Sequence, residues 1–552
     1  MTREKLLKLA IAAAAAAHLA ILIAGMYLRF IDGDEGGMLV LSKEIVEYGR
    51  IPILDINAHN QPLLYYFYGL WMRVAGFSIV GGRSLSVAAI FASGALVVWW
   101  TRRFSRDLLV TLVVYLLFIV NLTYFKTNIP VKPFALSNLL TFAAFAVVTG
   151  AYMERRALST RMLALSGLLL GISMGVRLVF LLPITFALWV AWVTLADGAG
   201  VRQAIKRLAV LTVATTAPML PAVWIFIKEP LRAYTIWAGA YAQIYLGKGN
   251  NPDFIVDIHK GNKTAVMMKG LIEVIAVPDT VVLLVLIAAS TAVYFIFHRG
   301  VADTQRRRVY VFIWLVFATI VYICSNLYGN YLGYVNQVVI FMVLLTVPLF
   351  EEIVKRVSAK KIVIGLSVVI ILSVVALDVH YRRRLKTSIF YMLPSDDLIV
   401  TPALVDRLSR DIVEKVTKPD DVVLDNWGVF VFESGRRPVM GFEYPTDSAF
   451  FWELMTDMTK ARKYGFVPKP ELFRQIDNNE IPLLILGDGN ELNKLLTGEP
   501  LPDDPNTLNN YAASRYELYA KYFVKPTNAW VIFYVPKNGG RKAIKETDGN
   551  GK

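Results

Sequence analysis

The sequence predicts an α-helical polytopic membrane protein of about eleven spans that ends in an extracytoplasmic α/β domain. Two observations carry this. Hydrophobic residues make up 56% of the 552 positions and charged residues only 18%, with a mean hydropathy of +0.49, beyond the apolar share of a soluble globular chain. Near residue 380 the long apolar runs stop and short apolar bursts replace them. The net charge of +15 would suggest nucleic acid in a soluble protein. Here the basic residues fall between hydrophobic runs, where membrane topology accounts for them, so no nucleic-acid partner is expected. Cys324 is the one cysteine and lies inside an apolar run, which excludes a disulfide framework and a cysteine-ligated metal.

Arg3, Lys5 and Lys8 precede the first apolar run, Leu9 to Phe30. That run is too long for a signal-peptide core and long enough to cross, so it reads as an uncleaved anchor with a cytoplasmic start. Further spans are expected near 84–101, 107–125, 134–152, 161–176, 178–196, 207–227, 279–297, 309–325, 332–350 and 361–378. The segment 61–79 is crowded with Tyr, Phe and Trp and contains Arg73, a composition suited to the headgroup boundary. Placed there, it leaves every short basic loop cytoplasmic: Arg102 to Arg106, Arg155 to Arg161, Arg202 to Arg207, Arg299 to Arg308 and Lys355 to Lys361. If it crossed, all five would flip outward. The transmembrane module is therefore 1–379, with an outer loop of surface helices at 38–79 and a long outer loop at 228–278.

The soluble domain is expected over 380–536. Bursts at 422–424, 482–486 and 530–535 read as buried strands, and stretches near 402–416, 449–464 and 490–496 as helices between them. Residues 537–552 read as a flexible tail.

The outer face concentrates the chemistry. Asp32, Asp34 and Glu35 follow the first span, then an amphipathic helix near 38–48 that Gly49 can cap. Asp55, His59 and Gln61 lie close together in the next segment. The second outer loop, Lys126-Thr-Asn-Ile-Pro-Val-Lys-Pro133, carries two lysines and no acid; Arg83 and Arg177 stand at outer helix ends. A carboxylate beside a hydroxyl is a workable general base, and cations at the lipid boundary can hold a phosphate and offset charge on it as it leaves. For sugar transfer these roles combine, because the transition state is oxocarbenium-like and its leaving oxygen needs charge stabilisation.

The sequence resembles the GT-C glycosyltransferases of the protein O-mannosyltransferase and aminoarabinose (lipid A) transferase type. The resemblance rests on Asp34-Glu35 after span one, the segment Ile51-Pro-Ile-Leu-Asp-Ile-Asn-Ala-His-Asn-Gln-Pro-Leu-Leu-Tyr-Tyr66, and Gly81-Gly-Arg-Ser-Leu-Ser86 at the start of span two. Gly171 to Arg177 and Tyr331-Leu-Gly-Tyr-Val335 match more loosely. It covers roughly the first 350 residues. It implies a polyprenyl-phosphate sugar donor, a lipid, glycan or protein acceptor with a hydroxyl, and inversion. It implies Asp34 as general base with Glu35 as its partner, donor phosphate at Arg83, Arg177 or Lys132, and substrate contacts from Asp55, His59, Gln61 and Tyr331. Two departures stand out. Gln61-Pro62-Leu63 replaces the Lys-Pro-Pro often found in the lipid A branch, and the second outer loop lacks that branch's acid. No cofactor is required by the pattern; a divalent cation stays open.

Bland readings stand beside these. Asp55 can instead cap a surface helix, and His59 has no second histidine near it in sequence to make a metal pair. Arg83 and Arg177 can serve as headgroup anchors, and Tyr65 to Trp71 as an interfacial belt. Asn262-Lys-Thr264 fits a glycosylation acceptor pattern. A lipid or sugar transporter is the alternative function, and it expects mid-span charges and repeated halves. A non-catalytic receptor or assembly protein, the third reading, would tolerate neutral residues at Asp34 and Glu35.

Overall fold

The computed structural model describes residues 2–31, 33–58, 60–154, 158–177, 181–239, 278–297, 304–327, 332–358, 400–443, 458–463, 467–487, 508–524 and 529–537, with isolated positions at 179, 361, 365, 368, 371 and 375. Of the sequence expectations, His59, Tyr331, most of the span at 361–378, most of the long loop, the helix near 490–496 and the tail lie outside the described residues.

Helix α1 (Arg3–Leu28) starts on the Thr2 side chain, which accepts from the Lys5 amide. At 26 residues it extends about 39 Å, enough for a hydrocarbon core of about 30 Å. Among the described helices, four are long and apolar enough to cross a membrane: Arg3–Leu28, Ile79–Ser105, Pro133–Met153 and Gly200–Lys228.

After α1 come α2 (Glu35–Glu47) and α3 (Pro62–Ala75). Gly49 at φ 68° closes α2, an angle that a side chain would strain. With 14 residues, α3 is about 21 Å long. It buries Leu64, Tyr65, Tyr68 and Met72 while Phe67, Leu70, Trp71 and Val74 stay exposed.

The bundle continues with α4 (Ile79–Ser105), α5 (Leu108–Ile119), α6 (Leu122–Asn128), α7 (Pro133–Met153), α8 (Thr160–Val176), α9 (Leu181–Ala196), α10 (Gly200–Thr216), α11 (Leu220–Lys228), α12 (Pro230–Ala233), α13 (Pro278–Phe297), α14 (Thr304–Leu327), α15 (Leu332–Leu345) and α16 (Val347–Arg356). Two expected single runs are broken. The run 107–125 stops at Ile119 and restarts where the Asn121 side chain accepts from the Tyr124 amide. The run 332–350 breaks at Thr346 because Pro348 has no amide to continue the ladder. Helix α7 packs on α4 and α8, and α8 on α10, around a core that includes Trp100, Phe142, Phe145, Trp189 and Phe312. Trp189 stacks on Phe312 with ring centres 4.4 Å apart.

The C-terminal region holds a five-stranded sheet in the order β2-β1-β3-β5-β4: β1 (Val422–Asp425), β2 (Arg437–Pro438), β3 (Leu484–Gly487), β4 (Tyr516–Val524) and β5 (Ala529–Pro536). Strand β1 runs parallel to β2 and β3, whereas β5 is antiparallel to both β3 and β4. Its helices include α17 (Pro402–Leu408) and α18 (Val429–Glu433). This domain shares a core with the loop after α1: Met38, Leu41 and Ile45 of α2 join Leu404, Val405, Val429 and Phe432. The Ile31 amide donates to the Val400 carbonyl at 2.8 Å. The domain is thus seated on the segment that carries the acidic pair.

Candidate active site

The site is assembled where four helix ends meet. Helix α1 leaves its last carbonyls without helical partners, and α2 begins just beyond with its own unpaired amides. Between them stands Arg83, in the first turns of α4. Its guanidinium donates to the carbonyls of Met26 at 3.1 Å, Arg29 at 2.8 Å and Phe30 at 3.2 Å. It also grips both Glu35 carboxylate oxygens at 2.7 Å each. The cation sits at the negative end of α1 and the carboxylate at the positive end of α2, so each helix favours the charge placed on it. Glu35 Oε1 accepts in addition from the Val131 amide at 3.0 Å. Both side chains of the pair are 0% exposed.

Asp34, the neighbour of Glu35, has a different setting. It occupies the N-cap position of α2 yet makes no side-chain cap bond. Its Oδ2 accepts from Lys132 Nζ at 3.0 Å, with the aspartate side chain 38% exposed and the lysine 9%. Lys132 is the N-cap of α7, ahead of Pro133. Its carbonyl accepts from the Tyr68 hydroxyl at 3.1 Å, Tyr68 pairs with the Ser86 hydroxyl at 2.7 Å, and Ser86 donates to the Pro130 carbonyl. These bonds tie the second loop to α3 and α4. Arg177, the C-cap of α8, lies with its guanidinium 4.7 Å from the centre of the Phe134 ring, and Lys132 Nζ lies 6.0 Å from the same ring. The ring's negative face attracts a cation placed over it.

Five of the expected residues, Asp34, Glu35, Arg83, Lys132 and Arg177, therefore belong to one contiguous arrangement. Arg83, expected at a donor phosphate, has its fork on Glu35 and the α1 carbonyls and no exposed surface. Glu35, expected as partner in the chemistry, is likewise enclosed.

Asp55 is exposed and closes its own turn: its Oδ2 accepts from the Ile51 amide at 2.7 Å, around Ile53 at φ 72°. Arg232 seals that turn by donating to the Leu54 carbonyl at 2.5 Å and to Asn57 Oδ1 at 3.3 Å. Gln61 is the N-cap of α3 and makes no side-chain cap bond.

The described carboxylates at this junction are engaged by cations of the protein itself. Asp34 already faces an ammonium, Glu35 is engaged by Arg83, and among the described residues no three His, Cys, Asp or Glu come together to hold an ion.

Sequence reasoning missed Phe134 and the contact that the C-terminal domain makes with the start of α4. A lone phenylalanine in an apolar helix carries no signal. In α18, Glu433 Oε2 accepts from the Ile79 amide at 2.9 Å, 354 residues away in sequence. Burial pushes the Glu433 carboxyl up to about 7. Asp425 accepts from the Trp427, Phe430 and Val431 amides, and burial pushes its carboxyl up to about 6.

No protein-family profile and no curated protein sequence matches this chain. Solved structures do. ArnT from Cupriavidus metallidurans bound to undecaprenyl phosphate superposes with a TM-score of 0.60 at 11% identity, covering 96% of this chain and 99% of that one. Its apo state superposes at 0.55 and 12% identity, over 95% and 97%. The chain thus has the fold of ArnT along nearly its whole length, C-terminal domain included.

Proposed function

We propose that this chain is a membrane glycosyltransferase that moves a sugar from a polyprenyl-phosphate donor to a hydroxyl of a lipid, glycan or protein acceptor, with inversion, on the extracytoplasmic face. The observation that carries the reading is the Asp34 carboxylate, part-exposed and 3.0 Å from Lys132 Nζ, with Arg177 and Lys132 both near the Phe134 ring. The fold supports it, since ArnT, a protein that shares it, was solved with undecaprenyl phosphate bound.

In this reading Asp34 takes the proton of the acceptor hydroxyl while the acceptor oxygen bonds to the anomeric carbon. The bond from that carbon to the phosphate oxygen breaks, and its electron pair leaves with polyprenyl phosphate. Lys132 and Arg177 offset the charge that grows on that phosphate. Donor phosphate competes with Asp34 for Lys132, so donor binding exposes the base. Glu35 and Arg83 act at one remove, holding the start of α2 against α4. The N-terminus is cytoplasmic, as the basic short loops require.

The test is release of polyprenyl phosphate from a panel of synthetic polyprenyl-phosphate sugars by purified protein, with membrane extract as acceptor source. Turnover of one donor that is lost in Asp34→Asn supports the reading. No turnover of any donor, or equal turnover in both proteins, sinks it and returns the transporter and receptor readings.

A further inference from the structure

The five-residue helix α18 touches both halves of the buried ion pair's scaffold. At its start, Gly428 (φ 76°) abuts the backbone of Gly36 and Gly37 in the first turn of α2. A Cβ built on Gly36 would stand 2.0 Å from the Trp427 carbonyl oxygen and 2.8 Å from the Val429 amide. At its end, Glu433 takes the first amide of α4. Two further amides of that α4 turn are met locally: Ser78 Oγ accepts from the Gly81 amide and the Ser78 carbonyl from the Gly82 amide. Helix α18 is therefore a spacer between α2, which carries Glu35, and α4, which carries Arg83 one turn beyond Ile79. Its own start is pinned by the three amides on Asp425.

We infer that Glu433 is a positioning residue for the transfer: by capping α4 from the C-terminal domain, it fixes Arg83, through Arg83 the buried Glu35, and so the neighbouring Asp34. This rests on the glycosyltransferase reading for its effect on turnover, but the mechanical linkage holds without it. A carboxylate at a helix start is favoured by the helix dipole as well as by its hydrogen bond. The sequence span between Glu433 and Ile79 makes the cap a tether between domains. The domain is then part of the active site's framework, whatever acceptor it recognises.

Two measurements on the full-length protein test this. In the donor assay, Glu433→Ala should slow polyprenyl-phosphate release about tenfold or more, since displacements near 1 Å at a reacting group cost on that scale and beyond. Glu433→Gln, whose amide oxygen still accepts from Ile79, should restore most of the rate. The double variant Arg83→Lys with Glu433→Ala should be no slower than Arg83→Lys alone, because both act along one chain of contacts. Losses that multiply, or wild-type turnover in Glu433→Ala, overturn the inference. If Glu433→Ala fails to fold, Glu433→Asp, one methylene short, should show an intermediate loss, and wild-type turnover in it overturns the inference. The second measurement is amide exchange in the segment 129–132, where the Val131 amide donates to Glu35. Glu433→Ala should speed exchange there. Unchanged exchange overturns the linkage even if no donor is ever turned over, so its failure is separable from failure of the glycosyltransferase reading.

Discussion

Asp34 and Glu35 are adjacent in sequence and opposite in environment: Asp34 is part-exposed against Lys132, and Glu35 is fully enclosed by Arg83. The helix geometry separates them. Glu35 is in the first turn of α2 and points into the junction with α1 and α4, while Asp34, at the N-cap, faces the second loop.

The two acids should therefore respond differently to neutralisation. Asp34→Asn should lower turnover by about 10²- to 10⁴-fold, the usual worth of a general base, with little change in melting temperature. Glu35→Gln should destabilise the protein by about 3–5 kcal/mol, because it leaves Arg83 buried without its counter-charge. Thermal unfolding in detergent beside the donor assay checks both. An Asp34→Asn protein that melts like Glu35→Gln would place Asp34 in the scaffold.

Lys132→Met removes the cation beside Asp34 that the proposed mechanism sets against the donor phosphate. Its rate should fall by about 10²-fold, the scale of losing one donor that stabilises developing charge. Lys132→Arg should keep part of the rate, since charge is retained while geometry changes. Equal rates in Lys132→Met and wild type would remove Lys132 from the reaction.

Gly36→Ala tests the seat of the C-terminal domain on α2. The nearest atom to the added methyl is a backbone oxygen at 2.0 Å, which cannot rotate aside. Overpacking of this kind costs about 1–3 kcal/mol. The variant should melt earlier than wild type and expose the 425–433 segment to protease; wild-type melting and protection would show that the two backbones separate freely.

Glu433 also makes the stability of this junction depend on pH. Packed, its carboxyl titrates near 7, against 4.5 for an ordinary glutamate. The packed state therefore holds more protons between those values, and stability falls as pH rises from about 4.5 to about 7, then levels. Asp406 and Arg410 of the neighbouring segment act on it in opposite directions. Asp425 contributes a slope of the same sign up to about 6. The difference in melting temperature between wild type and Glu433→Gln isolates Glu433: it should shift in favour of the glutamine protein across that window. A flat difference would show that Glu433 is solvated in solution.

Membrane class, the helical bundle and the β1, β3 and β5 bursts were all legible from composition and run length, because burial in lipid or in a sheet core imposes long or short apolar runs directly. The cluster of Asp34, Glu35, Arg83, Lys132 and Arg177 was legible as charges on one face. Which acid is buried and which is accessible was not. That assignment depends on contacts spanning 48 residues from Glu35 to Arg83 and 98 from Asp34 to Lys132, and local sequence carries no record of either. The cap from Glu433 lies further still from any sequence signal. A glutamate at the end of a short helix looks solvated until packing sets an amide from another domain against it. Residue types told which charges the sequence sets near helix ends; only the packing of α2 against α4 and the second loop put Glu35 on Arg83 and Asp34 on Lys132, since pairing is a property of distance in space.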